Sequence, residues 1–474
     1  MFGHDSRRHA IRIACALIGV VGCTDVAGSC LTAPYSNVGC DFYAVSLPNA
    51  LLDKSMFSFG VDLLNSNSTQ IDVTISGGAL VTPLNFPIAA GANTVLNLPW
   101  VASISTAEST VKVAGAAYHI VTSAPITAVQ LNPTAAVVLT TNAYLGDASL
   151  LVPGASGGTQ YRVLSWPTWG PSGLQYVGYV AVNAMSNSTS VQVAANGTIE
   201  PGAGLTANGG TVSLNQGEVL LIASGRNAPV DGFGADLSGM TISSSLPVLV
   251  WTGATATQVP LGTLYADYLE EMLPPLPAIG SDYYVVRPTN PNGLPTGAKH
   301  YVKLVATTNS TALTFDPPIP GAPASMDAGG VATFEATSDF HLQASQPMLV
   351  ATVMEGSQAF GATVGDPALS FVVPWNQARR SVDFAAPSSI GPAWAQVVTR
   401  TGAAIKIDGT SVDGWASIGS SGYSAANVAL CCSDAHRAVG NSAFTLSVYS
   451  YPNSSAYWYP AAVGFEEVFA DGFD

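Results

Sequence analysis

Serine, histidine and aspartate side chains near the C-terminal end are the first candidates for chemistry, because the chain has only six histidines and imidazole is the usual general base. His436 follows Asp434 by two residues, and Ser420 lies in "IGSSGYS", so a Ser–His–Asp hydrolase can be drawn from them. The chain has no GxSxG elbow, and residues two apart on a strand point the same way without facing each other. We predict no catalytic residue and no enzymatic activity. The alternative is an extracellular hydrolase that gathers His300 or His436 with carboxylates in a cleft.

Two other histidines share one position in a repeated phrase. His119 in "HIVTSAP" and His341 in "HLQASQP" both lie six residues before a proline. A single active site is not expected in two copies, so we interpret both histidines as structural residues of a strand.

The carboxylates offer no recognisable metal site. The segment "DGFGADLSG", with Asp231 and Asp236, lacks the dense alternation of Asp and Asn found in calcium loops. Glu270 and Glu271 lie in "YADYLEEML", the one segment whose pattern predicts a helix. We expect these two glutamates to face solvent rather than to act as an acid–base pair. The sequence therefore predicts no metal and no cofactor.

The N-terminal residues are typical of an export signal. "MFGHDSRRHAIR" carries three arginines and precedes "IACALIGVVG", an apolar run too short to span a bilayer. Residues 20–22 loosely match a lipobox, so we predict a lipoprotein-type signal over 1–22, with Cys23 lipidated and anchored in the outer membrane. The alternative is free secretion after cleavage behind Gly28.

Four cysteines remain after either cleavage: Cys30, Cys40, Cys431 and Cys432. An even number in an oxidising compartment indicates two disulfides. A bond between the neighbouring Cys431 and Cys432 needs a strained ring, so we favour cross-links from Cys30 and Cys40 to the C-terminal pair. Such links would join the two ends of the chain. The competing pairing is Cys30 with Cys40.

The composition excludes a nucleic-acid partner. Charged residues make up 9% of the 474 residues, and 30 acidic against 15 basic residues give a net charge of −15. That charge repels a phosphate backbone. The solvent-facing surface must instead be built from hydroxyl and amide groups, as in many exported β-proteins.

Similar phrases recur about a hundred residues apart: "VTSAPITAVQ", "SSSLPVLVWTG" and "QASQPMLVATV". Pro125, Pro247 and Pro347 anchor them, and "NSAFTLSVYS" places Phe444 at the equivalent position of a fourth, degenerate copy. Segments such as "QIDVTI" and "SVQVAA" precede the anchors and alternate apolar with polar residues, which is the period of a half-buried strand. The sequence therefore predicts an all-β protein of tandem repeat units.

We divide the chain into a signal peptide (1–22), a linker (23–38), a β-domain of four repeat units (39–464) and a C-terminal tail (465–474). The units span about 39–133, 149–255, 270–356 and 369–460. Two architectures fit: a closed, propeller-like ring of β-sheets, and β-sandwich units packed in series. We favour the ring, because linkers are absent and cysteines lie at both ends.

Several segments resemble one protein family: "SNVGCDFYAVSLPN", "AYHIVTSAPITAVQLNP", "LNQGEVLLIAS", "LSGMTISSSLPVLVWTG" and "LPPLPAIGSDYYVVRP". They resemble the IgGFc-binding protein N-terminal domain family, which is widespread among bacterial secreted proteins. The resemblance covers nearly all of the mature chain and implies binding rather than catalysis. Members of that family often carry cysteines just before the "PP" segment, and "YADYLEEMLPP" has none.

We expect an exported binding or adhesion protein, at the cell surface or secreted, whose ligand is an unidentified extracellular protein or glycan. The alternative is a structural component of the envelope or extracellular matrix. Most tryptophans, among them Trp166, Trp251 and Trp458, lie near strand starts or turns, which favours core packing. Exposed on a rigid β-scaffold, they would instead form a recognition surface.

Overall fold

The protein is built from β-strands, and the computed structural model describes residues 30, 35–171, 173–290, 297–361, 365–431, 434–451 and 455–464. Within these residues the strands form four large sheets and two small ones, which confirms the all-β class. Sheet 1 contains β1 (Val38–Val45), β2 (Phe59–Leu64), β3 (Ile71–Gly77), β4 (Leu84–Ile88), β5 (Asn93–Leu98), β7 (Ala117–Asn132) and β10 (Asp147–Leu151). Sheet 2 contains β6 (Val111–Val113), β11 (Gly158–Arg162), β13 (Gly178–Ala184), β14 (Thr189–Ala194), β15 (Gly209–Leu214), β16 (Val219–Ala223), β18 (Thr241–Thr257) and β19 (Asp267–Met272).

The second half of the chain supplies the other two large sheets. Sheet 3 contains β20 (Gly280–Val285), β21 (His300–Ala306), β22 (Thr311–Asp316), β23 (Ser325–Met326), β24 (Val331–Ala336), β25 (Phe340–Met354) and β26 (Leu369–Phe371). Sheet 4 contains β27 (Arg379–Ala385), β28 (Ala393–Arg400), β29 (Ile405–Ile407), β30 (Thr410–Ser411), β31 (Ala416–Ser417), β32 (Tyr423–Ala429), β33 (Ala435–Ser450) and β34 (Tyr457–Pro460). The small elements are the strand pairs β8 (Val137–Val138) with β9 (Thr141–Asn142) and β12 (Trp169–Gly170) with β17 (Gly232–Phe233), helix α1 (Ala102–Ser105), and 3₁₀ turns at Gly154–Ser156, Leu276–Ala278, Ser357–Phe360 and Trp375–Gln377.

One long strand organises each large sheet: β7, β18, β25 and β33, of 15 to 17 residues each. The first half of β7 pairs with β1 and β3, and its second half pairs with β2 and β10. The corresponding strands of the other three sheets pair with β18, β25 and β33 in the same way. Each long strand therefore belongs to two sets of neighbours, and its apolar second half is buried, as the run "VLVWTGATAT" of β18 illustrates.

A register shift faces the anchor position of every long strand. In sheet 1 it falls between Gly39 and Asp41, opposite Pro125, and sheets 2 and 3 place the same irregularity opposite Pro247 and Pro347. Proline has no N–H to donate to a β-ladder, so it is tolerated at a bulge where the ladder is already interrupted. The recurring proline thus marks a recurring β-bulge.

The fourth anchor is one residue away from its predicted place. Arg379 pairs with Phe444, just as Gly39 pairs with Ile126, the residue that follows the proline. Ala443, not Phe444, is therefore equivalent to the prolines. Comparison of the repeated phrases missed this offset of one residue, because sheet 4 keeps the bulge but lacks the proline that marks it in the other three sheets.

Four short strands, one from each large sheet, meet at a common centre. β10 and β26 each contact both β19 and β34, so the four strands form a cycle of contacts. The buried carboxylate of Asp147 lies at this centre and accepts one backbone N–H from each strand. The donors are Ala148 (2.9 Å), Glu270 (3.1 Å), Leu369 (3.0 Å) and Trp458 (3.4 Å).

Hydrogen bonds also join the two ends of the described chain. The N–H of Asn37 donates to the Val463 carbonyl at 3.2 Å, and the N–H of Val463 donates to the Asn37 side chain at 3.1 Å. Ser36 and Gly464 form an isolated β-bridge beside them. The segment before β1 is therefore fastened to the segment after β34.

The favoured disulfide pairing is wrong. Cys30 is bonded to Cys40, with the two Cα atoms 5.7 Å apart, so the competing local pairing is confirmed. The two cysteines are only ten positions apart in the sequence, so this bond is local and needs no contribution from the other end of the chain. Main-chain and amide hydrogen bonds provide the connection between the ends that we had expected from disulfides.

The predicted helix is also wrong, because "DYLEEM" forms strand β19. All six residues of this strand are buried, including Glu270 and Glu271, which we expected to face solvent. The Ser149 hydroxyl donates to Glu271 at 2.9 Å, so the carboxylate has a polar partner inside the protein. Polar residues on a strand enclosed on both faces imitate the pattern of a half-exposed helix, and this explains the error.

Replacing Asp147 with asparagine is expected to destabilise the protein by about 3 kcal/mol. Asp147→Asn keeps one acceptor oxygen but turns an NH₂ group toward two of the four N–H donors, and a buried donor left unpaired costs about 1–3 kcal/mol. Urea denaturation measures the loss. Asp413→Asn, at an exposed carboxylate, is the control and should stay within about 0.5 kcal/mol of the parent. Equal effects of the two changes would contradict the role of Asp147.

Candidate binding surface

Four loops lie together at one end of the central strands. Three of them, 133–146, 258–266 and 355–361, follow long strands and lead toward β10, β19 and β26. The fourth, 50–57, lies beside them, since its first N–H donates to a carbonyl near the end of β18 at 3.0 Å. We call this surface, made of residues 50–57, 133–146, 258–266 and 355–361, the loop face.

Hydrogen bonds connect the loops of the loop face to one another. The N–H of Gly146 donates to the Asp267 carboxylate at 2.6 Å. The N–H of Leu264 donates to the Gln358 side chain at 2.7 Å, and the N–H of Gln358 donates back to the Leu264 carbonyl at 3.0 Å. Loops contributed by sheets 1, 2 and 3 are thus held in fixed positions by the centre below them.

The loop face exposes an unusual concentration of large apolar side chains. Fourteen such residues are exposed in the described chain, and half of them lie here: Leu51, Val137, Leu139, Tyr144, Leu261, Leu264 and Tyr265. Leu139 is 88% exposed and Tyr265 is 61% exposed. Single exposed apolar residues are ordinary, but a group of them on adjoining loops marks an interaction surface.

Two of these side chains sit on left-handed backbone. Leu139, in the turn between β8 and β9, has φ +56°, and Tyr144 has φ +58°. Leucine and tyrosine rarely adopt this conformation, which costs about 1–2 kcal/mol relative to glycine. Glycine or asparagine would serve the turn better, so large apolar residues at these positions favour a role outside folding.

A small core supports the exposed residues. Leu52, Phe57 and Ala143 pack together beneath loops 50–57 and 133–146, with Trp100 against them. The Trp100 indole N–H donates to the Phe57 carbonyl at 2.8 Å, and the Lys54 ammonium lies 5.4 Å from the centre of the Trp100 ring system. The apolar residues of the loop face are therefore presented by a packed support.

A polar cleft of about 390 Å³ lies between sheets 3 and 4. Its charged groups are already paired, since the Arg287 guanidinium donates to Asp339 at 2.9 Å. The Asn427 amide donates to the Arg287 carbonyl at 3.1 Å and accepts from Tyr449 at 3.1 Å. Because these groups already satisfy one another's hydrogen bonds, the cleft is a weaker candidate for a ligand site than the loop face.

His119 and His341 have closely similar surroundings. Each imidazole stacks on a tyrosine of the neighbouring strand, Tyr43 or Tyr284, with ring centres 4.6 Å apart and planes 10° from parallel. Each also contacts an aspartate two residues before that tyrosine, Asp41 at 3.2 Å for His119 and Asp282 at 2.7 Å for His341. The two histidines therefore hold neighbouring strands together.

The residues of the hypothetical hydrolase are not brought together. His436 contacts Asp408 at 2.7 Å, while Ser420 donates to Asp316 at 2.7 Å. Asp434 accepts the N–H of Ser388 at 2.9 Å. His300 lies in sheet 3, where its ring packs against Trp458, and burial lowers its pKa to about 4. Each of these side chains therefore contacts a different partner, and none contacts another member of the hypothetical catalytic set.

The other candidate site residues named from the sequence lie in different parts of the structure. Asp236 pairs with the buried Lys303 ammonium at 2.5 Å, and Asp231 lies in the turn before β17. Cys431 is exposed, whereas Cys23 and Cys432 lie outside the described residues. No cluster of three or more His, Cys, Asp or Glu side chains suited to a metal was found among the residues that the structure describes.

The tryptophans belong to the core. Trp166, Trp169, Trp251 and Trp458 are buried, and the four remaining tryptophans are half-buried. Among the residues that the structure describes, the exposed aromatic side chains are instead Tyr144 and Tyr265, which sequence reasoning did not single out. The only available signal was their position in loops between strands, where most side chains are solvent-exposed.

The protein-family model described as IgGFc binding protein matches residues 147–450, which is more than half of the chain. The chain belongs to the IgGFc binding protein family. This membership confirms the resemblance and indicates an extracellular binding protein. A comparison with curated proteins found no match to this chain. Among its described residues, no helix has the length and apolar character needed to cross a membrane.

Below the loop face, this family member buries a network of hydroxyl and carboxyl groups. The Tyr268 hydroxyl donates to Glu270 at 2.7 Å, and the Gln130 amide lies 3.2 Å from both Glu270 carboxylate oxygens. Burial raises the pKa of Glu270 to about 8, although these donors oppose the shift. Burial likewise raises the pKa of Asp62 and of Glu355 to about 7.

We expect the IgGFc binding family member to be more stable at pH 5 than at pH 8.5. A carboxyl whose pKa is raised in the folded state stabilises the protein fully below its unfolded pKa, and loses that contribution as pH rises through the folded pKa. Thermal melts at the two pH values measure the difference. Glu270→Gln cannot ionise, so its melting temperature should fall less between pH 5 and 8.5. An unchanged pH dependence in this variant would rule out Glu270 as a source.

Proposed function

We propose that this protein is an extracellular binding protein that engages a protein ligand through the loop face. The exposed apolar side chains of adjoining loops, with Leu139, Tyr144 and Tyr265 the most prominent, are the observation that carries the proposal. Tyrosine and large aliphatic residues are the usual anchors of protein interfaces. Membership of the IgGFc binding protein family supports an extracellular protein partner.

The chemistry of the loop face favours a protein over a glycan. A glycan presents hydroxyl groups that need polar partners, whereas an apolar patch gains most by contacting another apolar patch. The polar cleft between sheets 3 and 4 has the hydrogen-bonding groups a glycan requires, but Arg287, Asp339 and Asn427 already bond one another. The ligand is therefore a protein with an apolar patch of its own.

The proposed scaffold is a closed ring of four repeat units, as the sequence divides them. The cycle of contacts between β10, β19, β26 and β34 supports closure, as do the hydrogen bonds between Asn37 and Val463. The same pairing of strands around each long strand supports four units. A closed ring has no mobile interface between units, so it presents the loop face as a rigid surface.

The proposal places the protein at the cell surface. We infer that Cys23 carries the lipid that anchors the chain in the outer membrane, as the lipobox-like residues before it indicate. Cys23 is seven residues before Cys30, whose disulfide to Cys40 fixes the start of the folded region. Metabolic labelling with a fatty acid tests the anchor, because Cys23→Ser should remove the label.

Removing apolar groups from the loop face is expected to weaken ligand binding at least tenfold. Leu139→Asn combined with Tyr144→Ser and Tyr265→Ser deletes the three most exposed side chains of the surface, and interface anchors of this kind contribute about 1–4 kcal/mol each. The probes are an array of purified extracellular proteins, including immunoglobulin Fc, and a glycan array. Leu139→Asn by itself should not lower the melting temperature, since asparagine tolerates the left-handed backbone at this position.

Val81→Asn is the matched control. Val81 is 98% exposed, but it lies in the turn between β3 and β4, which adjoins the start of β7 rather than its end. This variant should bind as the parent does. A protein ligand that tolerates the triple change, or the absence of any protein ligand, counts against the proposal. Self-association that the triple variant abolishes would instead support the structural role in the envelope or matrix.

A further inference from the structure

Two buried carboxylates occupy equivalent positions in sheets 2 and 3. Asp267 begins β19, and Asp366 lies three residues before the first residue of β26. Each lies eight residues before a proline that precedes a 3₁₀ turn, Pro275 or Pro374. Since β19 contacts β26, the two aspartates come from neighbouring central strands. Both are fully buried.

Most of their oxygens have no hydrogen-bond donor. Asp267 Oδ1 accepts the N–H of Gly146 and the N–H of Tyr268, both at 2.6 Å. Asp267 Oδ2 and both oxygens of Asp366 have no partner among the residues that the structure describes. A buried acceptor without a donor costs free energy, so three such oxygens on two neighbouring carboxylates need an explanation.

The charges at this place are also unbalanced. Burial raises the pKa of both aspartates, and the negative charge of Asp366 raises that of Asp267 further. Asp147 adds a third acidic group to the surroundings of Asp267. Within the described residues, neither Asp267 nor Asp366 takes part in an ion pair. A cation, or protons held by the two carboxyl groups, is therefore required.

We propose that Asp267 and Asp366 together bind a calcium ion. Protons held by the carboxyls neutralise the charges, but one hydrogen bond between the two groups satisfies only two of the three oxygens. Ca²⁺ neutralises both charges and contacts all three oxygens, and main-chain carbonyls or water complete its shell of six to eight oxygen ligands. Mg²⁺ fits less well, because it gives up its water reluctantly and demands a regular octahedron.

The ion would act directly beneath the loop face. Asp267 receives the N–H of Gly146, which ends loop 133–146, and lies two residues after the exposed Tyr265. A bond from Asp267 through the ion to Asp366 joins sheet 2 to sheet 3 at this end of the molecule. Calcium outside the cell is abundant enough to occupy sites with dissociation constants of about 10⁻⁴–10⁻³ M.

Thermal melts of the purified full chain test the site. After treatment with a chelator, Ca²⁺ at saturation is expected to raise the melting temperature by about 3 °C or more, and Mg²⁺ to raise it less. Asp366→Asn should lose the response to Ca²⁺ without melting lower than the parent in chelator, because it removes a repelling charge. Asp413→Asn, at an exposed carboxylate, should respond to Ca²⁺ as the parent does.

A measurement on the unaltered protein is independent of whether the variants fold. Tb³⁺ in place of Ca²⁺ should luminesce when tyrosine is excited, since Tyr268 adjoins Asp267, and Ca²⁺ should displace it with a stoichiometry of one. The proposal is overturned if Ca²⁺ changes neither the melting temperature nor the Tb³⁺ signal, which is the outcome when protons alone neutralise the two carboxyls. A full Ca²⁺ response in Asp366→Asn overturns it as well.

Discussion

The carboxylate of Asp147 is the group on which the arrangement of the four sheets depends. Four short strands can converge only if the N–H groups that face their common centre find acceptors, because water does not reach them. One carboxylate with two oxygens accepts all four, from Ala148, Glu270, Leu369 and Trp458. The residues at the matching place in the other strands are Leu269, Ala368 and Tyr457, since four carboxylates could not share the same centre.

The same constraint explains where this protein places its charges. The chain carries few charged residues, yet several of its carboxyl groups are buried near the centre: Asp147, Asp267, Glu270, Glu271 and Asp366. Each is bonded by main-chain or side-chain donors, or lies where a cation can neutralise it. The surface still carries charged groups such as Asp413, but they are few, and hydroxyl, amide and apolar groups make up most of the rest, a composition compatible with an extracellular binding protein.

The scaffold and the loop face are built from different parts of the sheets. Strand residues, including most of the tryptophans, fill the cores, and the loop face is formed by three connections from long strands to central strands together with loop 50–57. The hydrogen bond from Gly146 to Asp267 links the two parts, because it joins a loop to the network around the centre. Large apolar side chains on left-handed backbone, as at Leu139, are tolerated there since the support beneath is rigid.

The sequence by itself determined the all-β class, the family, and the recurring anchor position in three of the four long strands, because these depend on local periodicity and on the repeated proline. It did not determine that "DYLEEM" is a strand, that Cys30 pairs with Cys40, or that Asp147 is central. Only the tertiary structure decided these. Enclosure of a strand on both faces and the convergence of N–H groups depend on residues up to 311 positions apart, and the spacing of the cysteines does not select among their possible pairings. The loop face likewise became visible only when four loops, far apart in sequence, were brought to one end of the central strands.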